Sequence, residues 1–250
     1  METLTQPETV VATLQGPHGM LGFRLFKNDS CFQIAHEIFA GRTYPHVPFV
    51  QDVKTVVDIG ANIGAASFFF ATICPDATVY ALEPGSRPYS LLKENVAGLP
   101  NVRVFPFGLS SSAQKASLYA GRHDCVESSI CPTGRTTSDC EPVELRAAAQ
   151  FVGEQGLESI DILKLDTEGC EVPVLQSLKK YLPAIKILYV EYHSERDRRL
   201  IDAMLTESHT LWRAQVALVY RGEFCYLRRD LIPGADETHT CEILLPLEER

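Results

Sequence analysis

A glycine turn preceded by an acidic residue is the first place in the chain where a charged ligand could bind. Asp58 stands just before Gly60, Asn62 and Gly64, and the apolar run over residues 63–73 predicts a helix. Glycine lets the backbone turn sharply and approach a ligand closely, and the helix N-terminus offers free N–H groups. Asn62 breaks the Gly-x-Gly-x-x-Gly pattern of dinucleotide sites, and Asp58 would repel a pyrophosphate. An ammonium group suits Asp58 better, so the turn favours S-adenosylmethionine as the ligand.

A second acidic residue, Glu83, ends the next expected strand, 25 residues after Asp58. In doubly wound folds an acid near this place accepts hydrogen bonds from ribose hydroxyls. The residues after the third expected strand should edge an adenine pocket. Together these positions predict a nucleoside site. The predicted cofactor-binding residues are Asp58, Gly60, Asn62, Gly64, Glu83, Phe107 and Gly108.

Polar side chains also follow two later strands, where methyl transfer could be assisted. The first strand carries Lys164 among apolar neighbours and ends at Asp166, with Glu168 just beyond; the second ends at Glu191, with His193 two positions on. Ligands of open α/β sheets bind outside the carboxyl ends of the strands, so we expect these side chains to cluster beside the methyl donor. A hydroxyl nucleophile needs a base or a metal, and histidine, with a pKa of about 6.5, suits the base. The predicted catalytic residues are Asp166, His193, Glu191, Lys164 and Glu168.

Each of these side chains also has a structural interpretation. Lys164 could serve only to pair with an acid at the sheet end, and Glu168 could cap the following helix. Glu171 is expected to be a solvated acid in the first turn of that helix or a partner for Lys164. His193 could be an ordinary surface histidine. Two carboxylates and a histidine could also bind a divalent metal; its ligands would then be Asp166, Glu191 and His193.

The elements that must position these residues follow from the hydrophobic pattern. From Lys54 onward, short β-branched runs alternate with helical segments, which predicts a mostly parallel sheet covered on both faces. Residues 211–220 and 223–229 are strand-like runs joined by Arg221-Gly222, which is a hairpin signal. The predicted fold is therefore α/β: a Rossmann-like, doubly wound sheet of the class I methyltransferase type, closed by a C-terminal antiparallel hairpin.

The rest of the chain is expected to surround this sheet. Residues 20–25 predict a strand and 30–40 a helix, whereas 116–119 predict an edge strand and 121–142 a long loop. The predicted segments are an N-terminal extension or cap over 1–50, a methyltransferase domain over 51–232 and a C-terminal tail over 233–250.

Four segments resemble the FkbM-type methyltransferases: residues 57–64 (VDIGANIG), 160–171 (IDILKLDTEGCE, followed by Val174-Leu175), 189–193 (YVEYH) and 38–44 (IFAGRTY). The likeness covers roughly residues 30–230, and the second segment is the most specific. The resemblance implies S-adenosylmethionine-dependent O-methylation, often in the tailoring of natural products or glycans. It leaves the acceptor open.

Composition limits the partners. The net charge is −9, from 32 acidic and 23 basic residues, which opposes general binding to nucleic acid or to anionic membranes. The polar first 16 residues predict no signal peptide, so we expect a cytoplasmic enzyme with free thiols, acting on a small-molecule or glycan acceptor. Three alternatives stay open: a dehydrogenase with an aberrant glycine turn, an N-methyltransferase, and a non-catalytic nucleoside-binding module.

Overall fold

The computed structural model describes residues 8–121, 128–132 and 136–232. The strands are β1 (Thr9–Gly16), β2 (Gly19–Phe26), β3 (Thr55–Ile59), β4 (Thr78–Leu82), β5 (Val102–Phe105), β6 (Gly108–Ser110), β7 (Gln114–Gly121), β8 (Thr136–Ala147), β9 (Ile160–Leu165), β10 (Ile185–Tyr192), β11 (His209–Leu218) and β12 (Arg221–Arg228). The helices are α1 (Asp29–Phe39), α2 (Ala65–Ile73), α3 (Ser86–Val96), α4 (Ala148–Glu154), α5 (Glu171–Ser177) and α6 (Glu195–Leu205).

The alternation predicted from Lys54 builds a seven-stranded sheet in the order β11-β12-β10-β9-β3-β4-β5. β3 pairs in parallel with β4 and β9, and the parallel pairing continues outward to β5 and β10. β12 runs antiparallel between β10 and β11. The predicted fold class is therefore confirmed, including the C-terminal antiparallel hairpin. The carboxyl ends of β3, β4, β9 and β10 meet at one edge of the sheet.

Helices cover both faces of the sheet, which explains why its strands are continuously apolar. Val56 packs in a layer with α1 and α2, whereas its neighbour Val57 packs in a layer with α4, α5 and α6. Both valines are at most 1% exposed. A strand buried on both faces has no polar side to alternate with. Within the described part of the chain, no helix is long and apolar enough to cross a membrane.

The N-terminal segment is part of the core. β1 and β2 form a separate hairpin, and Phe23, Phe39 and Phe68 join it to α1 and α2 through ring contacts of 5.1–5.9 Å. The predicted strand over 20–25 and helix over 30–40 are confirmed as β2 and α1, whereas the sequence did not predict β1. Cys31 in α1 is disulfide-bonded, so the expectation of free thiols is wrong at this position.

A three-stranded sheet, ordered β6-β8-β7, lies beside the main sheet. The edge strand predicted over 116–119 is confirmed within β7. The long loop predicted over 121–142 is wrong from Thr136 onward, because β8 begins there and pairs with β7, Cys140 opposite Tyr119. This pairing brings together residues that are distant in the chain, and the turn-rich composition of the segment does not reveal it. Residues 122–127 and 133–135 lie outside the described part of the chain.

Candidate active site

The glycine turn after β3 is held between the neighbouring strands. The amides of Gly60 and Ala61 both donate to the carbonyl oxygen of Leu82 in β4, at 3.0 and 2.9 Å. Gly60 has a φ of +81°, and a methyl group on it would overlap the carbonyl of Asp166, just beyond β9. The packing of the strand ends therefore demands glycine at this position. The sequence also predicts that Gly60 contacts a ligand. That contact stays a prediction, separate from the packing requirement.

Asp58 and Lys164 form a buried ion pair beneath the turn. The Lys164 Nζ lies 3.1 Å from Asp58 Oδ1 and donates to the carbonyl oxygen of Gly60 at 2.6 Å. Ser67 Oγ donates to Asp58 Oδ2 at 2.6 Å, and Asp58 is 0% exposed. Burial lowers the pKa of Lys164, but the carboxylates of Asp58 and Asp166 outweigh it and raise that pKa above its usual value. Lys164 therefore stays charged and supports the turn from below.

Glu83 follows β4 and is 7% exposed. Its two carboxylate oxygens accept hydrogen bonds from the amides of Asn62, at 2.8 Å, and Gly85, at 2.7 Å. Burial raises the pKa of Glu83 to about 7, against the effect of these two bonds. The carboxylate fixes the turn, and a carboxylate oxygen has further lone pairs with which to accept hydrogen bonds from a ligand.

A cavity of about 80 Å³ lies against this turn. Four of the predicted cofactor residues line it: Gly60, Asn62, Glu83 and Gly108. The other three are not among its lining residues: Asp58, Gly64 and Phe107. A methyl group on Gly64 would lie 2.7 Å from Leu92 Cδ1, so this glycine serves helix packing. The ring of Phe107 packs on Phe151 and under the guanidinium of Arg146.

Two of the predicted catalytic residues, Glu168 and Glu191, lie next to a third, His193. Its Nε2 lies 3.1 Å from Glu168 Oε2 and 3.6 Å from Glu191 Oε1, and its Nδ1 lies 3.3 Å from Glu171 Oε1. None of these contacts has aligned hydrogen-bond geometry, but each carboxylate is close enough to attract the charged imidazolium. Burial lowers the pKa of His193, but Glu168 and Glu171 outweigh it and raise the pKa to about 11. Arg221 adds a second cation, which binds both Glu191 and Glu168.

Glu171 was predicted to be a solvated acid or a partner for Lys164, and this prediction is wrong. It is 1% exposed and accepts hydrogen bonds from the amide and hydroxyl of Thr167, each at 2.9 Å, and from the amide of Gly169. Burial raises its pKa, but His193 and the Thr167 amide outweigh it, so the pKa of Glu171 falls below its usual value. Glu171 thus orders the loop that carries Glu168.

A larger cavity, of about 440 Å³, opens on the α1 side of the same sheet edge. Lys164, Asp166 and Glu191 line it, together with residues of α1, α2 and the β11–β12 hairpin. Gly60, Asn62 and Asp166 line both this cavity and the smaller one. Glu168 lines only the smaller cavity, and His193 is not a lining residue of either. Asp166 is therefore the acidic side chain at the place where the two cavities meet.

Two non-glycine residues beside the cavities have left-handed backbone conformations. Asn62 has a φ of +51° and Glu168 a φ of +52°. Such conformations cost about 1–3 kcal/mol each and persist where the surrounding structure imposes them, often at functional sites. Here the amide of Asn62 binds Glu83, and the carbonyl of Glu168 accepts from Ser129 Oγ at 2.6 Å.

Tyr44, Arg221 and Glu223 line the larger cavity and were not predicted as site residues. Burial and four nearby carboxylates raise the pKa of Tyr44 well above its usual value, so its hydroxyl keeps its proton. Tyr44 lies in one of the segments that carry the family resemblance, and Arg221 lies in the predicted hairpin turn. Their positions were thus visible in the sequence, but their approach to the sheet edge was not.

The sheet edge also presents a set of possible metal ligands. Asp166, Glu191 and His193 can each place one ligand atom within 4.8 Å of the others. These are the three residues that the sequence suggested for a metal. Arg221 already supplies positive charge to Glu191, and His193 would have to lose its proton to bind a metal.

Comparison with known proteins points to one family. Residues 58–215 match the profile described as "Methyltransferase FkbM domain". The AMB antimetabolite synthetase AmbE of Pseudomonas aeruginosa is 28% identical to this chain, and the match covers 74% of this chain and 10% of AmbE. The 2-O-methyltransferase NoeI of Sinorhizobium fredii is 26% identical to this chain, and the match covers 56% of this chain and 63% of NoeI. The methyltransferase FkbM crystal structure from Methylobacillus flagellatus has a TM-score of 0.49 at 13% identity, covering 80% of this chain and 55% of that one.

Proposed function

This chain belongs to the FkbM methyltransferase family, and on that premise we propose that it transfers the methyl group of S-adenosylmethionine to a hydroxyl group of a small molecule or sugar. The observation that carries the proposal is the meeting of two cavities at Gly60, Asn62 and Asp166. The smaller cavity takes the nucleoside, with Glu83 on the ribose hydroxyls. The larger one takes the acceptor, so donor and acceptor meet beside Asp166.

The charges at the junction suit this donor. S-adenosylmethionine carries two positive groups, a sulfonium and an ammonium, and only one negative group, its carboxylate. The sheet edge offers these positive groups the carboxylates of Glu83 and Asp166. Asp58 is covered by Lys164 and Ser67, so we assign it to holding Lys164 and the turn. A dinucleotide would bring two phosphate charges against the same acids, which disfavours the dehydrogenase alternative.

The reaction needs alignment and the removal of one proton. The acceptor oxygen attacks the methyl carbon, the bond from that carbon to sulfur breaks with its electron pair going to sulfur, and the hydroxyl proton passes to a carboxylate. Asp166 and Glu191 line the acceptor cavity, and we assign them to receive the proton. Burial and Asp166 raise the pKa of Glu191, which makes it the better base. Lys164, Glu168 and His193 act as positioning residues.

The same charges favour oxygen over nitrogen as the nucleophile. A cavity lined by carboxylates raises the pKa of an amine and keeps it as an ammonium, which has no free electron pair. A neutral hydroxyl is not deactivated in this way. NoeI is named a 2-O-methyltransferase, and this supports O-methylation here. A divalent metal on Asp166, Glu191 and His193 is the second way in which the hydroxyl could be activated.

We further propose that the enzyme works without a nucleic-acid or membrane partner, which the net charge of −9 supports. The test of the main proposal has two stages. Calorimetry should detect binding of S-adenosylmethionine and S-adenosylhomocysteine, and hydroxylated sugars and natural products should then be screened for methyl incorporation by mass spectrometry. Asp166→Asn is the control, since it keeps the shape of the junction and removes its charge. No cofactor binding by the wild type would reject the proposal, and binding without turnover on any acceptor would favour a non-catalytic module.

A further inference from the structure

A third cavity, of about 260 Å³, lies on the face of the sheet that carries α1 and α2. Lys54 and Asp76 are exposed on its rim and precede β3 and β4, so we call it the amino-end cavity. An apolar cavity of roughly 150 Å³ accepts a molecule of the size of benzene, so this one has room for more than one aliphatic side chain. Its buried lining residues are Val47, Val50, Phe70, Ile162 and Ile187.

The segment over residues 44–54 forms the other wall of the amino-end cavity, and it contains no helix or strand. The hydroxyl of Tyr189 donates to the carbonyl oxygen of Pro45 at 2.6 Å, and the amide of Val50 donates to the carbonyl of Val47 at 3.1 Å. Tyr44 lines both the amino-end cavity and the larger cavity of the candidate active site. A group that fills the amino-end cavity would therefore also support a wall of the larger one.

The described chain ends near the amino-end cavity. Leu227, close to the end of β12, lies opposite Ile187, which is one of the residues that line the cavity. Leu231 and Ile232 follow, and both pack against the hydrophobic cluster that contains Ile187. The last described residues therefore lie on the side of the sheet that carries the cavity.

The sequence beyond Ile232 contains one short apolar run. Residues 243–247 are Ile-Leu-Leu-Pro-Leu, with Glu242 before them and Glu248 after them. Leucine and isoleucine are favoured in buried positions and glutamate is not, so the run is suited to burial between two solvated ends. Ten residues, 233–242, separate it from Ile232, and ten residues can span at most about 35 Å. That length allows the run to return to the cavity beside which the described chain ends.

We propose that residues 243–247 dock into the amino-end cavity of the same chain. Their aliphatic side chains displace water from the apolar floor, which is favourable because apolar surface leaves water on both sides. Glu242 and Glu248 stay at the exposed rim. The docked run holds residues 44–54 in place and, through Tyr44, supports the wall of the larger cavity.

The reactivity of Cys74 tests this proposal, because Cys74 is a free, half-buried cysteine that lines the amino-end cavity. The full chain is treated with iodoacetamide without reductant, and mass spectrometry of peptides gives the rate at which Cys74 is alkylated. Leu244→Asp puts a charge into the apolar run, whereas the matched control Ala235→Asp puts the same charge into the same segment outside the run. We expect Leu244→Asp to speed the alkylation of Cys74 roughly tenfold, the factor that the loss of one buried leucine side chain gives. Ala235→Asp should react as the wild type does.

Two further measurements separate docking from other causes. Cys170, a free cysteine buried in the opposite layer, should react equally slowly in all three proteins, which shows that the fold is unchanged. Hydrogen exchange over residues 44–54 should be faster in Leu244→Asp than in the wild type and unchanged in Ala235→Asp. Equal Cys74 rates in the wild type and Leu244→Asp would overturn the inference, as would an equal increase in both variants. A wild-type rate that rises when the protein is diluted would also overturn it, because a second copy would then fill the cavity.

Discussion

A single methyl group on Gly60 tests whether the glycine turn is required by packing. Gly60 has a φ of +81°, and an added Cβ would lie 2.9 Å from the carbonyl carbon of Asp166 and closer still to its oxygen. Gly156 offers a matched control. It also has a positive φ, of +65°, but an added Cβ there meets nothing within 4 Å.

The two variants share one cost and differ in the other. A left-handed conformation costs an L-residue about 1–2 kcal/mol, so Gly156→Ala should lower the free energy of unfolding by about that much. Gly60→Ala must also displace Asp166, whose amide donates to the carbonyl oxygen of Ile59 at 3.1 Å. Leaving a buried polar group unsatisfied costs about 1–3 kcal/mol. Gly60→Ala should therefore cost about 2–5 kcal/mol in total.

Urea unfolding followed by far-ultraviolet circular dichroism gives both free energies, and calorimetry gives the affinity for S-adenosylhomocysteine. We expect Gly60→Ala to lose most of that affinity, because the turn and Asp166 line both cavities, whereas Gly156→Ala keeps it. If Gly60→Ala costs no more stability than Gly156→Ala and binds normally, the steric argument is refuted.

The other predictions concern binding and turnover. Burial raises the pKa of Glu83 to about 7, and ribose hydroxyls bind its ionised form, so cofactor affinity should rise from pH 6 to pH 8; calorimetry should show this rise in the wild type and a flat profile in Glu83→Gln. Asp166→Asn should lower kcat by roughly 10²–10⁴-fold at saturating donor, apart from any loss of donor affinity; initial rates on a verified acceptor would contradict this if kcat is retained. His193→Ala should lower kcat by a smaller factor, because His193 acts through Glu191 and Glu168. Treatment with EDTA should leave activity unchanged; its loss, and rescue by Mg²⁺ or Mn²⁺, would show instead that a metal activates the hydroxyl.

The local sequence was sufficient to predict the parallel sheet and the strand ends that carry polar side chains. Short apolar runs ending in Asp58, Glu83, Asp166 and Glu191 are local features, and parallel strands bring their carboxyl ends to one edge. The terminal hairpin was equally visible, because two strand-like runs flank Arg221-Gly222. The structure confirms that architecture and brings Asp166, Glu191 and His193 together. The catalytic roles of these residues stay predictions.

Only the tertiary structure decided which of these groups can meet a ligand. Asp58 is chemically suited to an ammonium group, yet Lys164 and Ser67 cover it. Glu171 was expected in solvent, yet it is buried beneath His193 and the loop amides. Burial depends on elements that pack from elsewhere in the chain, and the residues next to a side chain do not reveal them.

Tyr44 and Glu223 illustrate the same limit at the acceptor cavity. They lie 179 residues apart in the chain, yet both line the larger cavity, and β12, which carries Glu223, pairs beside β10. Hydrophobic periodicity shows that a strand exists and which residues alternate along it. Strand order and register are set by interactions between distant segments. Those interactions therefore determine which side chains lie side by side across the sheet.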